Sequence, residues 1–201
     1  MVTLYYSPGT ASMVVHLALL EAGIPHRLEL VDFDKPRSAG YLKLNPQGQV
    51  PTLVAGCEVI TESAAILLWL GDRHPESGLA PGTGDPLRGL YLQAVVGLSN
   101  QLMSAYRLWF YPPDLGNPGH PPALRAALQA RIEAAWARLD VQLAARGPYL
   151  LGDRFSGADL LATMLMRWSR NMPRPALEWP ALARLAGLVK ARPSWQKLCE
   201  I

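Results

Sequence analysis

Three hydroxyls, Ser7, Thr10 and Ser12, crowd the stretch "YYSPGTASM". It lies where a strand-like run, Val2 to Tyr6, turns at Ser7-Pro8-Gly9 into an apolar helical pattern. Such a layout presents reactive groups at a helix N-terminus, where free N–H groups and the helix dipole favour negative charge. A cysteine there would be a nucleophile. None is present, so any sulfur handled at this turn arrives with a ligand. Tyr5 and Tyr6, on the strand, could each supply a phenol instead. A second helix start, "TESAAILLWL", carries Glu62 and Ser63, which suit an anion or an ammonium and also serve as ordinary capping residues.

Other chemistries are excluded or disfavoured. Cys57 and Cys199 form neither a metal spacing nor a CxxC motif, and each reads as a buried reduced thiol. His16, His26, His74 and His120 are scattered, so no metal is expected. There is no G-x-S-x-G elbow, and no histidine is placed near a candidate serine, which disfavours a serine hydrolase. The chain has 201 residues, half of them hydrophobic, enough for a sizeable core. It has no run of eighteen apolar residues and no basic-then-apolar leader, so a soluble, cytoplasmic protein without a membrane span is expected. Charge is uneven: residues 1–78 carry five Lys/Arg against eight Asp/Glu, the remainder fourteen against eight. The excess basic residues are interleaved with apolar positions, as on a solvated helix surface, and no groove-reading motif points to nucleic acid.

The elements that must position these groups follow from periodicity. Val2–Tyr6 is a strand, Met13–Leu20 a helix stopped by Gly23, and His26–Phe33 an alternating strand. Ser38–Leu44 is a short helix or turn ending at Asn45-Pro46. Val50–Val54 and Glu58–Ile60 flank Ala55-Gly56-Cys57 at hairpin spacing, and Glu62–Arg73 is a helix. The order is β-α-β-α-β-β-α, with the first two strands parallel and the last pair antiparallel. "HPESGLAPGTGDP" reads as a linker. After it, Leu87, Tyr91, Ala94, Leu98, Leu102, Ala105 and Trp109 mark a long amphipathic helix. "YPPDLGNPGHPP" breaks that helix, and a second stripe from Leu124 to Leu143 stops at Gly147-Pro148. In "GDRFSGADLLA", Ser156 and Asp159 form a capping box, with Phe155 and Leu160 as a staple.

Together, "YYSPGTAS", "NPQGQVPTL", "TESAAILLWL" and "GPYLLGDRFSGADL", in this order, resemble the glutathione S-transferase family across essentially the whole chain. The first turn is most similar to the bacterial beta class. The resemblance implies a thioredoxin-like α/β domain at 1–78, a linker at 79–87 and an all-α domain at 88–201. It also implies glutathione as cosubstrate, a small apolar electrophile and a homodimer, with a role in detoxification. It makes Val50-Pro51 a cis bond whose Val50 N–H and C=O would pair with the cysteinyl backbone of glutathione. Glu62 would take the γ-glutamyl ammonium and Ser63 its carboxylate, with Gln49 and Lys35 toward the glycyl end.

The thiol-activating hydroxyl is Ser12 as first choice, Thr10 second and Ser7 third. Ser12 also fits the N-cap of the first helix. The beta-class cysteine falls on Ala11, and that class's His-Lys pair on Met103 and Ser104. These departures argue against a thiol-transferase using its own cysteine. They leave open conjugation, another glutathione-dependent reaction such as isomerisation or dehalogenation, and non-catalytic ligand binding. The second-substrate pocket, expected between the domains, draws on Met103, Tyr106, Arg107, Phe110 and Trp168. Its aromatics and one arginine suit a planar, electron-poor or anionic compound. Trp109 belongs to the core stripe.

Overall fold

The computed structural model describes residues 1–200, and packing separates the chain into two compact units. The first comprises Met1–Arg88 and the segment from Ala191 onward; the second is Gly89–Lys190.

The first unit is built on four strands: β1 (Val2–Tyr6), β2 (His26–Leu30), β3 (Thr52–Ala55) and β4 (Glu58–Thr61), in the order β2-β1-β3-β4. β1 and β2 run parallel, from Val2 opposite His26 to Tyr6 opposite Leu30. β1–β3 and β3–β4 are antiparallel. Around them lie α1 (Ser12–Glu21), α2 (Ala39–Leu44) and α3 (Ser63–Arg73). The expected order therefore holds, with β2 three residues shorter than its alternation suggests. The chain leaves the sheet where Asp32 accepts the N–H of Asp34 at 2.9 Å, an Asx turn that breaks the extended backbone. Leu4, Val14, Leu17, Leu53, Ile66 and Leu70 are fully buried and form the core.

The last helix, α9 (Pro193–Glu200), packs on α1 within this unit rather than with the helical half, where the sequence division put it. The clamp is Glu21, whose carboxylate accepts from the Arg192 guanidinium and, at 2.5 Å, from the Ser194 hydroxyl. An amphipathic helix carries no address in its own sequence; a half-buried carboxylate on its partner supplies one. Both cysteines differ from expectation: Cys57 and Cys199 are exposed. Cys57 sits at the β3–β4 tip beside Gly56 (φ +63°), where the two-residue turn leaves nothing to cover it.

The second unit is helical. α4 (Arg88–Gly97) continues through a π-helical segment, Leu98–Met103, into α5 (Ser104–Phe110). The long helix expected here is thus present with one wide turn, in which the Ser104 N–H reaches back to the Ser99 carbonyl. A short 3₁₀ turn, Pro112–Leu115, occupies the expected break. α6 (Pro122–Arg146), α7 (Gly157–Trp168) and α8 (Pro180–Lys190) complete the unit. The α7 capping box forms as expected. Asp159, fully buried, accepts from the Ser156 N–H at 2.8 Å, the Ser156 hydroxyl at 3.1 Å and the Leu150 N–H at 2.8 Å. Burial pushes its carboxyl up to about 6 against the pull of those donors. Among the described residues, no helix is long and apolar enough to cross a membrane.

Candidate functional site

Strand register gathers the candidate residues of the first unit at one end of the sheet. Tyr5 lies opposite Thr52, and Thr52 opposite Thr61. Three segments therefore leave the same edge of three adjacent strands: the Ser7–Thr10 turn after β1, Val50-Pro51 before β3, and Glu62-Ser63 after β4. Because β2 is parallel to β1, the loop carrying Lys35 emerges at that end too.

The hydroxyl turn is tied to itself. The Thr10 hydroxyl donates to the Ser7 carbonyl at 2.7 Å. Ser12 Oγ lies 2.8 Å from Thr10 Oγ1 and 3.1 Å from the Ser7 carbonyl, and accepts from the Ser7 N–H at 3.2 Å. Ser12 is 1 % exposed, whereas Ser7 and Thr10 are half-buried. Ser12 is also not the N-cap. That place is held by Ala11 in helical geometry (φ −61°, ψ −18°), and Ser12 is the first helical residue. The Ala11 N–H makes no hydrogen bond among the described residues, leaving a backbone donor next to the Thr10 hydroxyl at the positive end of α1.

Val50-Pro51 is cis. Val50 belongs to no strand, and its N–H and C=O make no hydrogen bond among the described residues, so one backbone rung is left for a ligand. A side-chain network that sequence reasoning missed positions this rung. The Tyr41 hydroxyl donates to the Gln49 carbonyl, leaving Thr52 Oγ1 to donate to Tyr41 at 3.0 Å. Asn45 Nδ2 donates to the same Gln49 carbonyl at 2.8 Å and to Thr52 Oγ1 at 3.0 Å. The Tyr41 ring lies 5.0 Å from that of Tyr5. Burial raises the Tyr41 hydroxyl above its ordinary value, which keeps it a donor. The Asn45-Pro46 pair was the available signal, read only as the end of a helix.

Glu62 has φ +66° and ψ 113°, and no other non-glycine described residue has a positive φ. A β-carbon in this region is strained, and such strain concentrates where a site requires it. The conformation leaves the Glu62 side chain exposed while its carbonyl accepts from the Ile66 N–H at 2.9 Å. Ser63, 2 % exposed, opens α3. Lys35 is paired with Asp32 at 3.0 Å, and this partner holds the Asp32 carboxyl below its usual range. Gln49 is exposed, with its carbonyl taken by the network above.

In the second unit the structure brings together three of the five expected residues. The Tyr106 ring stacks on Phe110 at 6.0 Å and meets Trp168 edge-on at 5.8 Å. Tyr106 itself has no exposed surface. Its oxygen accepts from Trp136 Nε1 at 3.0 Å, and burial pushes its hydroxyl up to about 12. It supports the cluster from within, while Phe110 is 49 % exposed and Trp168 and Met103 are half-buried. Arg107 binds Asp114 through two bonds, of 2.5 and 3.1 Å. Trp109 is core, as expected, at 5 % exposure. A cavity of about 150 Å³ between α4 and α6, floored by Leu98, Leu139 and Leu143, includes none of these five residues.

Comparisons with known proteins agree with this fold. Residues 10–73 match the sequence model of the glutathione S-transferase N-terminal domain, and residues 122–195 that of the C-terminal domain. A sphingomonad glutathione S-transferase solved in complex with glutathione is 30% identical, with a TM-score of 0.87, covering 98% of this chain and 97% of that one. The beta-class enzyme of Sphingomonas chungbukensis is 27% identical, with a TM-score of 0.86 and coverage of 98% and 97%. The maleylacetoacetate isomerase of Pseudomonas aeruginosa is 26% identical over 96% of this chain and 92% of its own length.

Proposed function

The chain belongs to the glutathione S-transferase family, and we propose that it ionises the thiol of bound glutathione and directs the thiolate at a small apolar electrophile. The observation that carries this reading is the convergence at one sheet edge of the hydroxyl turn, the unpaired Val50 rung and the strained Glu62-Ser63 helix start. Val50 pairs with the cysteinyl backbone. Glu62 takes the γ-glutamyl ammonium, and Ser63 with the α3 N-terminus takes the carboxylate. Lys35 and Gln49 sit toward the glycyl end.

The turn then meets the thiol. A free thiol ionises near pH 8.5, and lowering that by two units takes roughly 2.7 kcal/mol of preference for the thiolate. One charge-assisted hydroxyl bond plus a helix N-terminus is of that size. Burial favours one hydroxyl for the contact with sulfur. Ser12 is enclosed by Ser7 and Thr10, so Thr10 donates to the thiolate beside the Ala11 N–H. When glutathione binds, the Thr10 hydroxyl turns its one proton from the Ser7 carbonyl to sulfur, while Ser12 donates to Thr10 Oγ1 and holds it in place. Ser12 is thus a positioning residue and Thr10 the contact, the reverse of the order that alignment suggested. The thiol proton leaves to solvent, the thiolate attacks carbon, and the leaving group departs with the bonding pair.

Phe110, Trp168 and Met103 supply the apolar surface for the second substrate. The family leads us to infer a cytoplasmic homodimer as well. The test is product analysis with glutathione and an electrophile on wild type, Thr10→Val and Ser12→Ala. Conjugate formation that falls about tenfold or more in Thr10→Val supports the reading; no conjugate from wild type overturns it. The likeness to the Pseudomonas isomerase favours one second reading, in which glutathione is returned unconsumed. The same product analysis separates the two.

A further inference from the structure

Between Asp85 and Glu133 the chain has four arginines and a single carboxylate, Asp114. That one carboxylate is placed on Arg107, the cation nearest the aromatic cluster in sequence. Its oxygens receive Arg107 Nε at 2.5 Å and Nη2 at 3.1 Å, a two-pronged pair in which both charges are satisfied. The placement is built in. Pro112 and Pro113 open the 3₁₀ turn that carries Asp114, and the Asp114 N–H bonds the Tyr111 carbonyl at 3.0 Å. The far end of the same loop is pinned to α5 by the His120 ring, whose Nε2–H donates to the Leu108 carbonyl at 2.6 Å. The Arg107 guanidinium also lies 4.0 Å over the Tyr111 ring. Beside this neutralised pair, Phe110 and Tyr111 are each about half exposed, at 49 % and 50 %. Two half-exposed aromatic rings with the adjacent cation already answered make a surface for an uncharged ring rather than for an anion.

We propose that Asp114 sets the charge preference of the second-substrate surface: by holding Arg107 it selects uncharged planar aromatic electrophiles over their carboxylated counterparts. The proposal rests on the transferase reading above. Without Asp114, Arg107 is free to meet a substrate carboxylate. A part-exposed ion pair of that kind corresponds to about a fivefold gain.

The test uses two chloronitroarenes that differ by one carboxylate, 1-chloro-2,6-dinitrobenzene and 4-chloro-3,5-dinitrobenzoate. In each, the thiolate forms a C–S bond at the chlorinated carbon and chloride leaves with the bonding pair. The readout is the ratio of kcat/KM for the anionic to the neutral compound, in wild type, Asp114→Asn and Asp114→Asn/Arg107→Gln. The expected result is a ratio about fivefold higher in Asp114→Asn that returns to the wild-type value in the double variant. A merely structural Asp114 would lower both rates together, leaving the ratio unchanged, and that outcome overturns the proposal. Binding of 3,5-dinitrobenzoate against 1,3-dinitrobenzene, followed by tryptophan quenching, gives the same ratio without turnover. If no variant conjugates either compound, the transferase reading fails, and a fivefold shift in the binding ratio still supports the charge preference. An unmoved binding ratio refutes it whatever the turnover.

Discussion

Lowering the pH from 7 to 5 will destabilise the first unit, and the source is one histidine. His16 lies in the middle of α1 at 4 % exposure, and its Nε2 is buried without a hydrogen-bond partner. Its ring meets that of His26 edge-on at 5.1 Å, and His26 Nδ1 is committed to the Ile24 carbonyl at 2.7 Å. Among the described residues no acid answers a charge on His16: Glu21, on the same helix, is taken by Arg192 and Ser194. Burial first, and the neighbouring His26 second, lower its pKa from 6.5 to about 4.

The folded-state value is depressed, so as pH falls the unfolded chain takes up the proton first. Stability is lost below pH 6.5, and the loss is complete near pH 4. Between pH 7 and pH 5 the shift corresponds to about 2 kcal/mol, a large part of a typical unit's stability. The assay is urea unfolding at both pH values, with exchange of α1 amides as a local probe, on wild type and His16→Leu. Leucine removes the titration at similar volume. The loss from pH 7 to 5 should be about 2 kcal/mol smaller in the variant. An equal loss in both proteins would refute the reasoning.

Glu62→Gly removes the positive-φ strain and should raise stability by about 1 kcal/mol while weakening glutathione binding, measured by unfolding and by calorimetry. Asp159→Ala strips the acceptor from three buried donors and should cost about 3 kcal/mol or more in the helical unit. Ser156→Ala, which leaves the carboxylate in place, should cost about 1 kcal/mol in the same urea titration. Gly71→Ala brings its β-carbon to 2.5 Å from that of Ala80 and should cost about 1–3 kcal/mol; no change in the unfolding midpoint would show that the segment gives way freely.

The sheet and its turns were legible because each is fixed by nearby residues. Glycine at 23 and 56, proline at 8 and 51, and the Ser156–Asp159 spacing act within a few positions of the backbone they shape. What depended on distant partners was not legible. α9 follows Glu21, far away in sequence, and Tyr106 shares a helix face with Phe110 yet is enclosed by Trp136 and Trp168. The π turn at Leu98–Met103 was hidden because an apolar stripe at spacings of three and four absorbs one extra residue without losing its pattern. Cys57 misled because cysteine is usually buried, and a hairpin tip overrides that tendency. At the candidate site the residue types were readable from the motifs. The order we propose for Thr10 and Ser12 was not, since it turns on 1 % exposure and a 2.8 Å contact.

The most direct measurement is ultraviolet absorbance of the glutathione thiolate, titrated across pH with saturating protein, for wild type, Thr10→Val and Ser12→Ala. Thiolate should form near neutral pH in wild type. Its midpoint should rise by about one unit or more in Thr10→Val, and by less in Ser12→Ala. Binding with an unshifted midpoint near 8.5 in wild type, or one equally lowered in all three proteins, would contradict the claim that this hydroxyl turn ionises the thiol.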